Sequence, residues 1–336
     1  MQGPRVESNS EPDAFYVDLD GTLVHGDTSA ETLARYLLGN PLGLIQVLGW
    51  WRHGRARVKH ELVARVDVDA ANLPYNRPFM ARVQQLLGRP ERPELILASG
   101  AHERIVEAVA NHCGYDAVLA SDASVNRIGD AKLEAIRLRQ AGRPFAYAGN
   151  APVDMRVYAG AESCWVVNPV AGIDARLARA GRDFTLIDDR RGAPARWWAS
   201  LGGPSLLLAL VGAWAAWSGG AGLGMALALG FGLLMLVVAG NIARGFRDLD
   251  VDRRHPLRRE TGIANAEVHP GLLLGVGGSL ALAGTVLTFS LGVATGAVGL
   301  ALGAATTLAG AHRRWPWWLS ATLRPALALL AGGLLL

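Results

Sequence analysis

Two stretches without a single charged side chain, 197–243 and 270–311, constrain this chain more than any other feature. Crossing the hydrocarbon core of a bilayer takes about 20 apolar residues in a helix, so each stretch has room for two spans. A buried core in a water-soluble protein is the poorer alternative, because both runs are too long and too uniformly apolar. Residues 1–196, by contrast, carry charge throughout. The chain of 336 residues therefore divides into a water-soluble domain followed by an all-α transmembrane domain.

The start, Met1 to Pro12, is polar and holds no apolar signal-peptide core, so 1–12 reads as a disordered tail and the first domain as cytoplasmic. The two cysteines, Cys113 and Cys164, have no metal-ligand spacing and read as small buried residues in a reducing compartment. The net charge of +4 resides largely in arginines near the membrane ends. That balance suits anionic lipid or a phosphorylated substrate, and no motif points to nucleic acid.

In the soluble domain, the apolar run Ala14 to Val17 has strand propensity and ends in Asp18-Leu-Asp20-Gly-Thr22. Strand side chains alternate faces, so Asp18 and Asp20 can meet one ligand only where the strand ends and curls. Two carboxylates that close repel unless something positive sits between them, and Mg²⁺ prefers such hard oxygens. An ordinary Asp-Gly turn is the plain alternative. Thr28 or Ser29 can cap a helix through Leu38, and helical patterning continues to about Leu87, which suggests a helical cap over roughly 28–92. Within it, Leu42 to Trp51 followed by Arg52, His53, Arg55, Arg57 and Lys59 suits either the cap's own core, the favoured reading, or a membrane surface. Further strands are expected at 94–98, 117–120, 145–148, 163–167 and 184–187. Ser99 follows the second, where a hydroxyl and backbone N–H groups could hold phosphate oxygens or cap the next helix. Lys132 opens a helix, the wrong end of the dipole for a cation unless it serves an anion. Asn150 and Asp154 follow the fourth strand, where Asp154 could complete a metal site.

This order resembles the haloacid dehalogenase (HAD) superfamily of phosphohydrolases, over roughly Phe15 to Ile187. Asp18-Leu-Asp20-Gly-Thr-Leu-Val is similar to its first motif, Ser99 to its second, Lys132 to its third and Gly149-Asn150 through Asp154 to its fourth. Ala120-Ser-Asp122, Gly129-Asp-Ala-Lys132 and Val166-Val-Asn168-Pro169 resemble a subgroup with a helical cap. Asn150 stands where many members carry aspartate. The resemblance implies a Rossmann-like α/β domain over 13–187 in which Asp18 is the nucleophile and Asp20 the general acid and base. Ser99 and Lys132 would hold phosphate oxygens, and Mg²⁺ would sit on Asp18, Asp20, Asp154 and, more weakly, Asn150.

A charged linker over 188–200 holds Asp188-Asp-Arg-Arg191 and Pro194, with Arg196-Trp197-Trp198 as an interfacial anchor. Four spans are expected within 201–336, at 203–217, 222–243, 271–290 and 292–310. A fifth apolar segment near 317–336 is interrupted by Arg324-Pro325 and is too short to cross after Ala326. The arginine-rich loops at 244–259 and 312–314 face the cytoplasm by the positive-inside rule, giving a multi-pass cell-membrane protein with a cytoplasmic N-terminal domain. Asp248 and Asp252, four apart on one helix face, could bind Mg²⁺ and a diphosphate beside arginines, or the loop could serve topology alone. Asp252-Arg253-Arg-His255-Pro256 resembles the first aspartate-rich motif of the UbiA family of intramembrane prenyltransferases, nearest the decaprenyl-phosphate phosphoribosyltransferase branch. Arg244 and Gly245 stand where asparagine and aspartate usually open that motif, and the second aspartate-rich motif has no counterpart. Half the ligands and half the helices speak against a transferase acting alone, and the glycine-rich spans suit close packing, within the protein, in a homo-oligomer or against a membrane-protein partner. The expectation is thus a membrane-attached Mg²⁺-dependent phosphatase of a phosphomonoester, such as a polyprenyl-linked phosphosugar. A prenyl or phosphoribosyl transferase with an accessory HAD domain and a non-catalytic membrane scaffold are the rivals.

Overall fold

The computed structural model describes residues 12–40, 42–189, 195–259, 262–309 and 317–335, without the side chains of 195–204 and 317–321. The expected tail before Pro12, the hinge residues Arg190, Arg191 and Pro194, the Arg196-Trp197-Trp198 side chains and the loop His312–Arg314 lie outside the described residues. The chain forms two compact units, Met1–Arg190 and Arg191–Leu336.

In the first unit, β1 (Ala14–Val17) precedes α1 (Thr28–Gly39), α2 (Gly43–Trp51), α3 (Arg55–Val63), a 3₁₀ turn at Ala70–Asn72 and α4 (Arg77–Leu87). Then β2 (Glu94–His102), α5 (Glu103–Cys113), β3 (Ala117–Ser121), α6 (Asp130–Gln140) and β4 (Phe145–Gly149) alternate. A 3₁₀ turn at Pro152–Asp154, α7 (Met155–Tyr158), β5 (Ser163–Val167), α8 (Ile173–Arg179) and β6 (Thr185–Ile187) complete it. All six strands are parallel, in the order β3-β2-β1-β4-β5-β6. The central strands β1 and β4 are uninterrupted apolar runs buried on both faces, as crossover helices impose on parallel sheets, while the edge strands β3 and β6 are more exposed. Phe15, Val17, Leu95 and Leu97 pack with Phe79 and Val83 of α4 and Ile105 and Val106 of α5. Tyr16, Ile96 and Tyr147 pack on the other face with Leu133 and Ile136 of α6. The strand order reverses between β1 and β4, which opens a crevice beyond their C-terminal ends.

Three local expectations are corrected. Asp27, not Thr28 or Ser29, caps α1, its Oδ1 accepting from Ala30 N at 2.8 Å. Ser99 lies inside β2 rather than capping a helix, because the strand extends to His102, whose imidazole caps α5. The cap is narrower than 28–92, since Phe79 and Val83 commit α4 to the sheet core. What remains is α1–α3 around Tyr36, Val47, Val58 and Leu62.

The second unit comprises α9 (Ala195–Ser218), α10 (Leu223–Arg247), α11 (Leu249–Arg254), α12 (Pro270–Leu291), α13 (Val293–Leu308) and α14 (Trp317–Gly333). By length and composition, α10 and α12 can cross a bilayer, while Ser205–Ser218 and α13 are shorter apolar helices. Helix α10 packs against α9, α12 and α13. Gly232 and Gly284 bring α10 and α12 so close that a Cβ on Gly284 would lie 2.9 Å from the Gly232 carbonyl oxygen. The small residues are therefore used within this bundle. Pro325 sits inside α14 instead of ending it, so the expected interruption at Arg324-Pro325 does not occur. Loss of one N–H bond can be made good by neighbouring helices.

Candidate active site

Asp18 is the residue at which β1 stops, and its N–H donates to the Ala148 carbonyl of β4 at 2.9 Å. This pins it at the point where the sheet order reverses. Lys132, in the first turn of α6, reaches the same point and donates to Asp18 Oδ1 at 2.8 Å and Tyr147 Oη at 2.9 Å. It also lies 3.7 Å from Asp154 Oδ1. Tyr147 in turn donates to Asp154 Oδ1 at 2.7 Å. The N–H groups of Asn150 and Ala151 donate to Asp154 Oδ2 at 3.1 and 2.9 Å. Lys132, Asp18, Asp154 and Asn150 are all buried. One buried ammonium thus stands between two buried carboxylates, and it keeps its proton because both hold its acidity down against burial.

Asp20 lies past the strand end and accepts from the Thr28 N–H, at the start of α1, at 2.8 Å. Gly21, with φ of 76°, makes the turn, and a Cβ there would run into the Asn150 carboxamide. Burial above all, with Lys132 pulling down and Asp154 pushing up, raises the Asp18 carboxyl to about 6. Burial and Asp27 raise Asp20 well above the usual carboxylate range. Two neighbouring carboxyls displaced unequally suit unequal roles, with the more acidic one ionised and the other holding a proton to give away.

Because Asp18 must ionise to act as an anion, kcat/KM in the metal-free enzyme is expected to rise with pH through about 6. Its effect on stability has the opposite sign. Between 3.8 and about 6 the folded chain holds this proton while the unfolded chain has lost it. The stabilisation present below 3.8 therefore fades as pH rises through about 6. A pH–rate profile and thermal melts at each pH check the pair, and parallel trends would refute it.

Ser99 is buried at the C-terminal end of β2, and its Oγ accepts from Ala101 N at 3.0 Å. Asp122 and Asn168 lie apart from the carboxylate cluster. Asp122 accepts from Ser124 and Val125 within its own turn. Asn168 exchanges two hydrogen bonds with Asp189, tying β5 to the end of β6.

Three contributors escaped the sequence reading. Tyr147 reads as a core strand residue, and only its hydroxyl joins the site. Asp27 reads as a loop residue before the cap. Lys59 was one of a run of cations, yet its ammonium binds the Gly100 carbonyl and, at 2.8 Å, Asn126 Oδ1. Burial lowers its pKa while Asp20 and Asp27 pull it up, which places a cap cation in the field of the site. The one available signal was position, since Lys59 ends the run closest to the core residue Leu62. Lys59→Met is expected to raise KM for a phosphomonoester about tenfold or more with a smaller change in kcat, the loss of one charge-assisted hydrogen bond. Steady-state kinetics decide, and an unchanged KM would remove Lys59 from the site.

Among the described residues, no three His, Cys, Asp or Glu side chains gather in a cation-ligating arrangement. Asp154, expected as a metal ligand, accepts from Tyr147 at Oδ1 and from two backbone N–H groups at Oδ2, which leaves Oδ1 a second lone pair. Asp154 Oδ1, the Asp18 carboxylate and the Asn150 amide oxygen are all hard oxygens. They fit a magnesium ion that keeps several waters.

In the second unit, Asp248 is buried at the end of α10, with Arg247 Nε at 3.2 Å. Asp252 lies one turn on in α11 with Arg258 at 3.2 Å. Arg253 donates to the Ala264 carbonyl at 3.0 Å, bracing the loop backbone. The His255 ring accepts from Leu257 N at 3.3 Å. The sequence-expected cluster thus exists as a set of pairings inside its own loop.

No protein-family model matches the chain. It is 25% identical over 184 residues to the uncharacterised protein y4nM of Sinorhizobium fredii, covering 54% of this chain and 35% of that protein. The chain therefore spans about a third of the length of the curated relative it matches. Among solved structures, it is similar at 14% identity and a TM-score of 0.37 to a Bordetella pertussis Tohama I protein of unknown function, over 53% of this chain and 99% of that one. The same identity, TM-score and share of this chain describe its likeness to phosphoserine phosphatase in apo form, of which 94% is covered. A phospho-aspartyl intermediate analogue of phosphoserine phosphatase is similar over the same shares, with a TM-score of 0.34.

Proposed function

We propose that the first unit is a HAD-type phosphohydrolase that cleaves a phosphomonoester through an aspartyl-phosphate. The observation that carries this reading is Asp18 itself, a buried carboxylate at the crevice of the parallel sheet with the Lys132 ammonium 2.8 Å from its Oδ1. An Asp18 oxygen attacks phosphorus as the bond to the leaving oxygen breaks, and Asp20 delivers its proton to that oxygen. In the second half, Asp20 takes a proton from water, which attacks phosphorus and releases phosphate from Asp18. Lys132 faces the transferring oxygens, and Ser99 offers its hydroxyl from β2. Tyr147 and Asp154 hold the Lys132 ammonium in place. Asp18, the Asp20 carbonyl, Asp154 and, more weakly, Asn150 would hold magnesium, which when bound would neutralise charge on the phosphoryl group. Lys59 brings a second cation from the cap.

The substrate in this reading is a phosphomonoester on a lipid-linked sugar, because the same chain carries apolar helices whose Asp252-Arg-Arg-His-Pro256 loop is UbiA-like. The protein then sits in the cell membrane with its basic loops and first unit on the cytoplasmic side. A transferase reading is less supported, since Asp248 and Asp252 are matched by Arg247 and Arg258. The test is acid quenching of the full chain in detergent during turnover of phosphomonoesters, polyprenyl-linked ones included. A phosphoryl group on Asp18 in the digested protein is the expected result, and steady phosphate release without one would overturn the proposal.

A further inference from the structure

Helix α2 was expected to supply the cap's own core, and most of it does not. Val47 alone among its large side chains is fully inward, packed with Tyr36, Val58 and Leu62, and Trp50 lies against them half-buried. Leu44, Ile45, Leu48 and Trp51 stand 58%, 69%, 60% and 56% exposed. Their spacings of three and four place them along one contiguous side of the helix, and their exposure shows that side turned away from the Tyr36, Val58 and Leu62 cluster that Val47 enters. Leu42, 65% exposed just before the helix, extends the patch. Contiguous apolar surface of this kind marks an interaction site.

Charge says what covers it. Residues 32–60 contain no aspartate or glutamate. Arg52, His53 and Arg55 follow the helix directly and are exposed, and the Arg55 guanidinium lies 5.8 Å from the Trp51 ring. An apolar face with tryptophan at its edge and arginines beside it is the composition of a helix lying in the interface of an anionic bilayer. A second copy of this chain would set the same arginines against each other. The chain also carries α10 and α12, by length and composition able to cross a bilayer, which favours lipid over a soluble partner.

We infer that the α2 face of the cap, Leu44, Ile45, Leu48 and Trp51, docks into the headgroup–acyl boundary of an anionic lipid bilayer, with Arg52 and Arg55 on the phosphates. This is independent of the phosphatase reading.

The test uses the full chain reconstituted in vesicles of phosphatidylglycerol and phosphatidylcholine, with a nitrobenzoxadiazole label at Ile45→Cys, at Leu48→Cys, or at Leu138→Cys on α6 as control. Signal from the unsubstituted chain is subtracted. Labels at 45 and 48 are expected to be quenched by acyl-chain spin labels about threefold more than at 138, and Arg52→Glu with Arg55→Glu is expected to return them to the control level. Quenching no greater than at 138 would refute the docking. Equal quenching in phosphatidylcholine alone would refute its anionic basis. Protection of the label that disappears on diluting protein in lipid would assign the face to a second copy instead.

Discussion

Asp18→Asn is expected to stop phosphomonoester hydrolysis, lowering kcat by about 10⁴-fold or more, while the chain stays folded. The side chain keeps its shape and can still accept from Lys132 at Oδ1, but its amide cannot form the acyl-phosphate. Folding should not suffer, because this carboxylate is held against its environment, its pKa raised to about 6 chiefly by burial. Removing a charge that burial opposes is expected to change stability by no more than about 1 kcal/mol. Phosphate release by the full chain and its thermal midpoint are the two measurements. Retention of activity within tenfold of the unsubstituted enzyme would end the nucleophile assignment. Asp252→Asn serves beside it as the discriminating variant. Hydrolysis should survive it, and loss of hydrolysis there with survival in Asp18→Asn would favour the transferase.

Lys132→Met has the largest expected effect on stability. The ammonium is 2.8 Å from Asp18 and 3.7 Å from Asp154, and all three groups are buried. Removing it leaves two carboxylates without their common cation, a loss on the order of 3–5 kcal/mol for a buried pair broken from one side. The penalty depends on pH with a definite sign. Without the lysine Asp18 binds its proton more readily in the folded state, so the deficit is largest at neutral pH and above and shrinks as pH falls toward about 6, where Asp18 takes up its proton in the unsubstituted chain as well. Thermal midpoints of both proteins at neutral and mildly acidic pH give the answer. A deficit that is small, or the same at both, would mean that Lys132 is not the cation holding this cluster together. Activity should fall with the stability, since the same ammonium faces the transferring oxygens.

Adding Mg²⁺ should move the acid limb of the rate profile to lower pH, because a cation at Asp18 favours its charged form. The unfolding temperature should rise with it, as for any ligand of the folded state alone. An unmoved limb and an unmoved midpoint would refute metal binding at Asp18.

How much of this could be read without coordinates depends on the range over which each signal acts. Asp18 and Asp20 were legible because they are two residues apart and follow an apolar strand, a pattern that propensity and alternation both recognise. The parallel sheet was legible because each of its strands is an apolar run between helical patterns. Errors fell where a residue serves a distant neighbour. The second strand looks finished at Ala98, just before Ser99, but pairing with β3 carries it on to His102. Leu42 to Trp51 looks like core because it is apolar, yet burial is a property of what packs against a helix, and only the Val47 side has a partner. Pro325 looks like a stop, yet the helix continues through it among packed neighbours.

By itself, the sequence determined the charge-free helices, the alternation that builds a parallel sheet and the carboxylate pair at the first strand's end, for these follow from residues close along the chain. Only the tertiary structure decided that Lys132 stands between Asp18 and Asp154, that the Tyr147 hydroxyl joins them, and that a cap lysine is anchored on Gly100 and Asn126 in the field of Asp20. Lys132 and Asp18 are 114 residues apart. Coulomb energy and desolvation depend on ångströms through space, which the fold fixes and separation along the chain does not.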